Sequence, residues 1–263
     1  RPPSMPEGTL LRGVKREFLE VDVSYQKRDF APFFTLTALL VYWVKFFVDL
    51  SGDDKVAGSL DDALEAVAPF GDDCRLQTHD FRRLFTYQFV HVDAGHLVAN
   101  SVILLVLGSP LEMAHGPIVG LAFEAGVVLG AVASLVFAPF QRVVGFSAGV
   151  YCVLGAHFGH LLLHWADMRR GALNRWMRLL IFAVFFGVDV AYSYAEQVSA
   201  TIHLAGFLVG VVLSAAVLRD LVERPRSVLR GAARFLLVAL PVLLVLRYAF
   251  YIIQSDPPEP LTW

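Results

Sequence analysis

The chain has 263 residues, 56% of them hydrophobic and only 17% charged, with a formal net charge of −2. A soluble domain carries about a quarter charged residues; here the charges gather between long apolar runs and the mean hydropathy is +0.58, which excludes an ordinary soluble fold. No basic, aromatic-interleaved patch of the kind that grips nucleic acid occurs, and Cys74 and Cys152 sit in unlike surroundings that argue against a disulfide framework or a cysteine metal site.

The first thirty residues are charged and contain no signal-peptide apolar core, so they are expected to lie in the cytoplasm and the first span to do its own targeting. Seven apolar runs then approach the ~20 residues that cross a bilayer as a helix. They are Pro32–Leu50, Val92–Leu111, Ile118–Ala138, Gly145–His164, Leu179–Tyr194, Thr201–Leu218 and Phe235–Ile253. The predicted fold is an all-α polytopic membrane protein. Residues 31–218 hold six spans, with 51–91 as a non-cytoplasmic interfacial loop. Residues 219–234 form a basic cytoplasmic loop, and 235–263 a seventh span and tail.

Orientation follows from the arginines. Arg169, Arg170, Arg175 and Arg178 follow span four, and Arg219, Arg224, Arg226, Arg230 and Arg234 follow span six. Basic residues stay in the cytoplasm, and Arg12, Lys15, Arg16, Lys27 and Arg28 agree. The N-terminus is therefore expected inside and the C-terminus outside. The first outer loop is acidic, and Leu60, Ala63, Leu64 and Val67 recur there at helical spacing, as in an interfacial amphipathic helix.

Polar side chains inside spans are costly and need a reason. Span two opens with His91, His96 and Asn100, the last two on one helical face. Span four opens Gly145-Phe146-Ser147-Ala148-Gly149, with Tyr151 one turn below the serine. Span six opens with His203, followed on the same face by Gly206 and Gly210. Singly, a span serine bonds a carbonyl of its own helix, a span histidine packs or passes protons, and the glycines signal only close helix packing. Spans two, four and six, however, all start on the outer side, which puts Ser147 and His203 at matching shallow depth. A serine beside a base becomes a nucleophile. Tyr151 could stack on the imidazole, and His96, Asn100 and the Ser147 N–H could stabilise an oxyanion.

At these residues the sequence resembles the rhomboid proteases. Arg83-Leu-Phe-Thr-Tyr-Gln-Phe-Val-His91, then Val92-Asp-Ala-Gly-His96 and Leu97-Val-Ala-Asn100, is similar to that family's run into its second helix. Gly108-Ser-Pro-Leu-Glu-Met-Ala-His-Gly116 resembles the end of that helix in animal members. Gly145-Phe-Ser147 is similar to the nucleophile motif and His203-Leu-Ala-Gly206, with Gly210, to the catalytic-histidine helix. The likeness covers roughly residues 80–218. It implies a six-helix catalytic core plus a seventh C-terminal helix, as in the eukaryotic secretory-pathway branch. It also implies a cofactor-free, metal-free serine endopeptidase of the secretory pathway or plasma membrane, embedded in the lipid bilayer and cleaving single-span membrane proteins in or near their transmembrane segments, near the outer face. Gly145 joins His96, Asn100 and Tyr151 as supporting residues, and Val144 could add a backbone donor. Two positions depart from the family pattern: Arg82-Arg83 replaces tryptophan-arginine, and Ala148 replaces a glycine, where its methyl could crowd the oxyanion region or be ordinary family variation.

Glu124 in span three and Asp189 in span five read as interhelical hydrogen-bond partners or a polar path. His157, His160 and His164 read as interfacial residues rather than metal ligands. Two competing functions stay open: a pseudoenzyme that binds or traffics membrane clients without cleavage, and a channel or transporter, against which the absence of repeated halves counts.

Overall fold

A computed structural model of the protein describes residues 30–51, 83–91, 93–138, 143–165, 168, 174–196, 200–218 and 227–254. The amphipathic stretch around Leu60–Val67, Cys74, Arg82, the basic N-terminal residues and most of the loop arginines lie outside the described residues. Among the described residues every regular element is helical: α1 (Phe33–Ser51), the short α2 (Arg83–Thr86) running into a 3₁₀ turn (Tyr87–Phe89), α3 (Ala94–His115), α4 (Ile118–Phe137), α5 (Ser147–Leu163), α6 (Arg175–Glu196), α7 (Ala200–Ala216) and α8 (Ser227–Gln254).

Local chemistry explains the helix ends. The Asp93 carboxylate accepts the His96 N–H at 2.8 Å and so caps the start of α3. That helix ends at Gly116, whose φ of 83° suits glycine, and Pro117 blocks continuation. The expected end of span two, Leu111, falls four residues early, because α3 passes straight through Pro110. A π turn at Leu104–Gly108 widens the backbone immediately before that proline, relieving its clash with the preceding turn. Asn174 caps α6 by accepting from the Trp176 and Met177 N–H groups at 3.0 and 3.2 Å. Helix α6 thus starts at Arg175 rather than Leu179. Similarly α8 starts at Ser227, not Phe235. Hydropathy locates the apolar run, whereas arginines extend a helix without resisting it.

The bundle is built around α5, which is buried along almost its whole length. Helices α4 and α7 flank it, α8 lies outside against α7 and α4, and α1 packs on α3. Polar side chains are buried among the apolar core, and large apolar ones also cover the exterior. Thr35, Gln88, Asn100, Glu112, Ser147 and His203 are buried, while α1 presents Phe33, Leu36, Leu40, Val44 and Phe47 on its exterior. Among the described residues one helix, Ala94–His115, is by itself long and apolar enough to cross a membrane. Apolar stretches of 10–17 residues lie in α1, α4, α5, α7 and α8, shorter than the runs expected from hydropathy.

Buried polar groups lock the bundle together, as they must where no water can satisfy them. Near the end of α3, Glu112 accepts from the Phe34 and Thr35 N–H groups and the Thr35 hydroxyl at 2.7–2.9 Å, capping α1 from another helix. Glu124 of α4 bonds the 3₁₀ turn that precedes α3. It accepts from Gln88 at 3.1 Å, and Gln88 in turn accepts from Tyr42 of α1 at 2.6 Å. His157 and His160 of α5, and His164 just after its end, contact other parts of the bundle. His160 and His164 are buried, with His160 5.8 Å from the His115 ring. His157 donates at 2.9 Å to Leu107 O within the π turn, where ladder bonding is irregular. Among the described residues, no three His, Cys, Asp or Glu side chains converge as metal ligands.

Candidate active site

Ser147 is the first residue of α5, and the segment before it is held from three directions. Gly145 has φ +89°, a conformation a side chain would strain, and its N–H donates to Tyr87 O at 3.1 Å. A Cβ on Gly145 would stand 2.8 Å from the His96 ring, so His96 lies directly against the turn. Phe146 is fully buried, stacked on Tyr42 at 4.1 Å and meeting the edge of His91 at 5.0 Å. These rings fix where the chain enters α5, and with it the serine hydroxyl.

His203 is the fourth residue of α7. Its Nε2 lies 2.9 Å from Ser147 Oγ, and its ring stacks on Tyr151 at 4.3 Å with only 4° between the planes. Small residues permit this approach. A Cβ on Gly206 would overlap the Ala148 carbonyl, and one on Gly210 would overlap the Cys152 carbonyl. From the other side, Gly155 leaves room for the Phe207 backbone and Gly159 for the Ser214 hydroxyl. Helices α5 and α7 therefore touch backbone to backbone, the geometry that small residues allow in membranes.

The oxyanion candidates come from α3. Asn100 is buried, and its Nδ2 donor has no hydrogen-bond partner in the protein. An orphaned buried donor is costly to keep, which leaves the Asn100 amide open to a bound acceptor. His91 joins the site through Phe146 and through an edge contact with His96 at 5.3 Å.

Two further residues acquire definite neighbours. Ala148 is fully buried, and a Cβ on Gly130 of α4 would lie 3.0 Å from its methyl. The methyl therefore faces α4 and does not crowd the oxyanion region. Asp189 is an interhelical hydrogen-bond partner, as its sequence position suggested, and the partner is the histidine of α7. Its Oδ1 lies 3.1 Å from His203 Nδ1, and it also bonds the Tyr151 hydroxyl. The signal was present in the sequence: Phe182, Phe185, Phe186 and Asp189 share one face of α6 at offsets of three, four and seven. Phe185 and Phe186 meet the Tyr151 ring at 5.7 and 6.2 Å, and Phe186 meets Phe207 edge-on at 4.7 Å. That aromatic stripe ends at the histidine.

A rhomboid-domain profile matches residues 78–220. The chain is 36% identical over 152 residues to rhomboid-related protein 3 of Homo sapiens, covering 54% of this chain and 38% of that protein. It is 33% identical over 168 residues to rhomboid-related protein 1 of Caenorhabditis elegans, covering 59% and 45%. The inactive rhomboid-related protein 2 of Caenorhabditis elegans is 28% identical over 140 residues, covering 50% and 39%. The matched stretch spans less than half the length of these relatives. Because the profile takes in more than half of this chain, from the Tyr87 turn to the end of α7, the protein belongs to the rhomboid family of integral membrane proteins.

Proposed function

We propose that the protein is an intramembrane serine endopeptidase with Ser147 as nucleophile and His203 as base. The observation that carries this reading is the 2.9 Å contact between Ser147 Oγ and His203 Nε2. As Oγ attacks a substrate carbonyl, its proton passes to Nε2, and the oxygen of the tetrahedral intermediate becomes negative. Donors for that oxygen are the Asn100 amide, the His96 ring and the Ser147 N–H. The last stands at the start of α5, where the helix dipole also favours negative charge. His203 then returns the proton to the leaving amine, and water resolves the acyl-enzyme by the same route in reverse. Acyl transfer of this kind needs neither metal nor cofactor.

The apolar exterior and buried polar interior support a bilayer as solvent. We read the chain as a six-helix core, α1 and α3–α7, plus α8 as a seventh span. The arginines after α5 and α7 favour a cytoplasmic N-terminus, so that Ser147 and His203 open toward the outer face. Substrates would be single-span membrane proteins of the secretory pathway or plasma membrane, cut in or near their spans. The existence of a relative named inactive keeps a second reading in play, in which the protein binds membrane clients without cutting them.

One experiment separates the two. Detergent-solubilised protein is treated with a fluorophosphonate probe, beside Ser147→Ala and His203→Ala. The protease reading expects labelling of the wild type alone, together with cleavage of a single-span substrate in liposomes. Folded wild-type protein that takes no label would leave the client-binding reading.

A further inference from the structure

We infer that Asp189 is a positioning residue that completes a Ser147–His203–Asp189 triad, supplied by the helix that packs on the outer side of the base. The inference rests on the protease reading and deepens it.

An imidazole can accept a proton at Nε2 only if that nitrogen carries a lone pair, so the ring's own proton must sit on Nδ1. Something has to select that tautomer. In this protein the partner of Nδ1 is a carboxylate: Asp189 Oδ1 at 3.1 Å, with the two side chains 10% and 13% exposed. A carboxylate can only accept, so the bond fixes Nδ1–H and leaves Nε2 facing Ser147. The same carboxylate stabilises the imidazolium that forms when the serine proton arrives, while itself remaining ionised. Stacking on Tyr151 restrains the ring's plane but cannot choose its tautomer. Asp189 also bonds the Tyr151 hydroxyl, so one carboxylate holds both the base and the ring beneath it. The placement is built into α6, whose Phe182, Phe185 and Phe186 seat against α5 and α7 and bring the next turn of that face to Nδ1.

The test uses the full chain in detergent and in liposomes, with Asp189→Asn and Asp189→Glu. The asparagine variant should lose labelling rate and kcat by about 10²- to 10⁴-fold, the upper end being the loss when a soluble serine protease's orienting aspartate is made asparagine. KM and thermal stability should hold, because the change is isosteric and touches no bound substrate. The glutamate variant, which restores a carboxylate on a longer arm, should recover part of that rate. A second readout needs no turnover. In ¹⁵N-histidine spectra, with His203→Ala to assign the signal, the wild-type ring should carry its proton on Nδ1, and Asp189→Asn should raise the Nε2-protonated fraction.

The outcomes are separable. No labelling of the wild type would defeat the protease reading, and the tautomer measurement would still decide the role of Asp189. Normal labelling with an undiminished rate in Asp189→Asn would overturn the triad alone. So would a wild-type His203 protonated on Nε2. Loss of thermal stability in step with activity, with the tautomer unchanged, would make Asp189 structural.

Discussion

The two contacts that α5 makes around the site differ in kind. Toward α7 it meets backbone with backbone, through Gly206 and Gly210 on one side and Gly155 and Gly159 on the other. Toward α6 it meets rings: Tyr151 and Phe158 against Phe182, Phe185 and Phe186. Close-packed backbones have no rotamers to adjust, so the α5–α7 contact sets the Ser147–His203 distance rigidly. An aromatic contact tolerates small shifts, because rings can slide while remaining in contact. Ser147 and His203 thus stand on the stiff side of α5, and the Asp189 carboxylate that faces His203 stands on the compliant side. The comparison teaches which perturbations should destroy the site and which should only detune it.

Breaking the stiff side should have the largest effect. Gly210 lies two turns below His203 on the same face, with the Cys152 carbonyl where its side chain would be. Gly210→Leu must push α7 away from α5. We expect it to abolish fluorophosphonate labelling and lower Tm together, since overpacking costs on the order of 1–3 kcal/mol even where the surroundings can yield, and carbonyls cannot. Gly206→Val should behave alike. Wild-type turnover and Tm in either variant would mean that backbone contact does not set the catalytic distance.

The next effect comes from α3, whose Asn100 belongs to neither of the two contacts compared. Asn100→Ala removes a buried donor that has no protein partner in the free enzyme. Its bond should strengthen as the oxyanion develops, so kcat should fall by ~10²–10³ with KM little changed. The neighbouring His96 would reduce that loss if it shares the oxygen. Tm should hold or rise slightly, because an unsatisfied polar group disappears. A rise in KM with kcat unchanged would recast Asn100 as a substrate-binding residue.

Loosening the compliant side should cost less. Phe186 meets Phe207 edge-on at 4.7 Å and lies one turn from Asp189. Phe186→Ala gives up an aromatic pair worth about 0.5–1.5 kcal/mol. The His203–Asp189 contact should then be made less often rather than lost. Since a misplacement of ~1 Å can cost about 10²-fold, partial loosening should lower kcat by roughly tenfold, with labelling still measurable. An effect as large as that of Gly210→Leu would erase the distinction between the two contacts.

The same distinction explains what the sequence could and could not reveal. Glycines spaced along one face announce a close helix contact, and chain topology then sets depth. Ser147 and His203 could accordingly be placed opposite each other from hydropathy and residue spacing alone. The aromatic side was less legible. A stripe such as Phe182, Phe185 and Phe186 fits both a lipid-facing and a packed surface in a membrane helix, because lipid is as apolar as a neighbouring helix. Without knowing which way α6 faced, Asp189 could be read only as polar and interhelical. The Tyr42–Gln88–Glu124 chain was hidden for a different reason: its members come from three separate elements, with no shared period to reveal them. Helix starts failed where polar residues extend a helix beyond its apolar run, as at Arg175 and Ser227.

The smallest expected effect sharpens the comparison at its most sensitive position. Ala148 follows the nucleophile, and its carbonyl lies against Gly206 while its methyl faces Gly130 of α4. From sequence alone the methyl threatened to crowd the oxyanion, and its removal would then activate. The geometry predicts otherwise. Ala148→Gly removes one buried methyl, worth about 0.8 kcal/mol, and adds backbone freedom near the start of α5, worth about 1 kcal/mol at an exposed helix site. Neither change moves the Ala148 carbonyl out of contact with Gly206, which is what positions α7. Stability should therefore fall by on the order of 1–2 kcal/mol, read as a lower Tm, while kcat and KM stay near wild type. Measuring all three in the same detergent decides the matter. A raised kcat would place the methyl back at the oxyanion, whereas a lowered kcat would mean that α4 helps hold the α5–α7 contact, so that the stiff side extends across three helices.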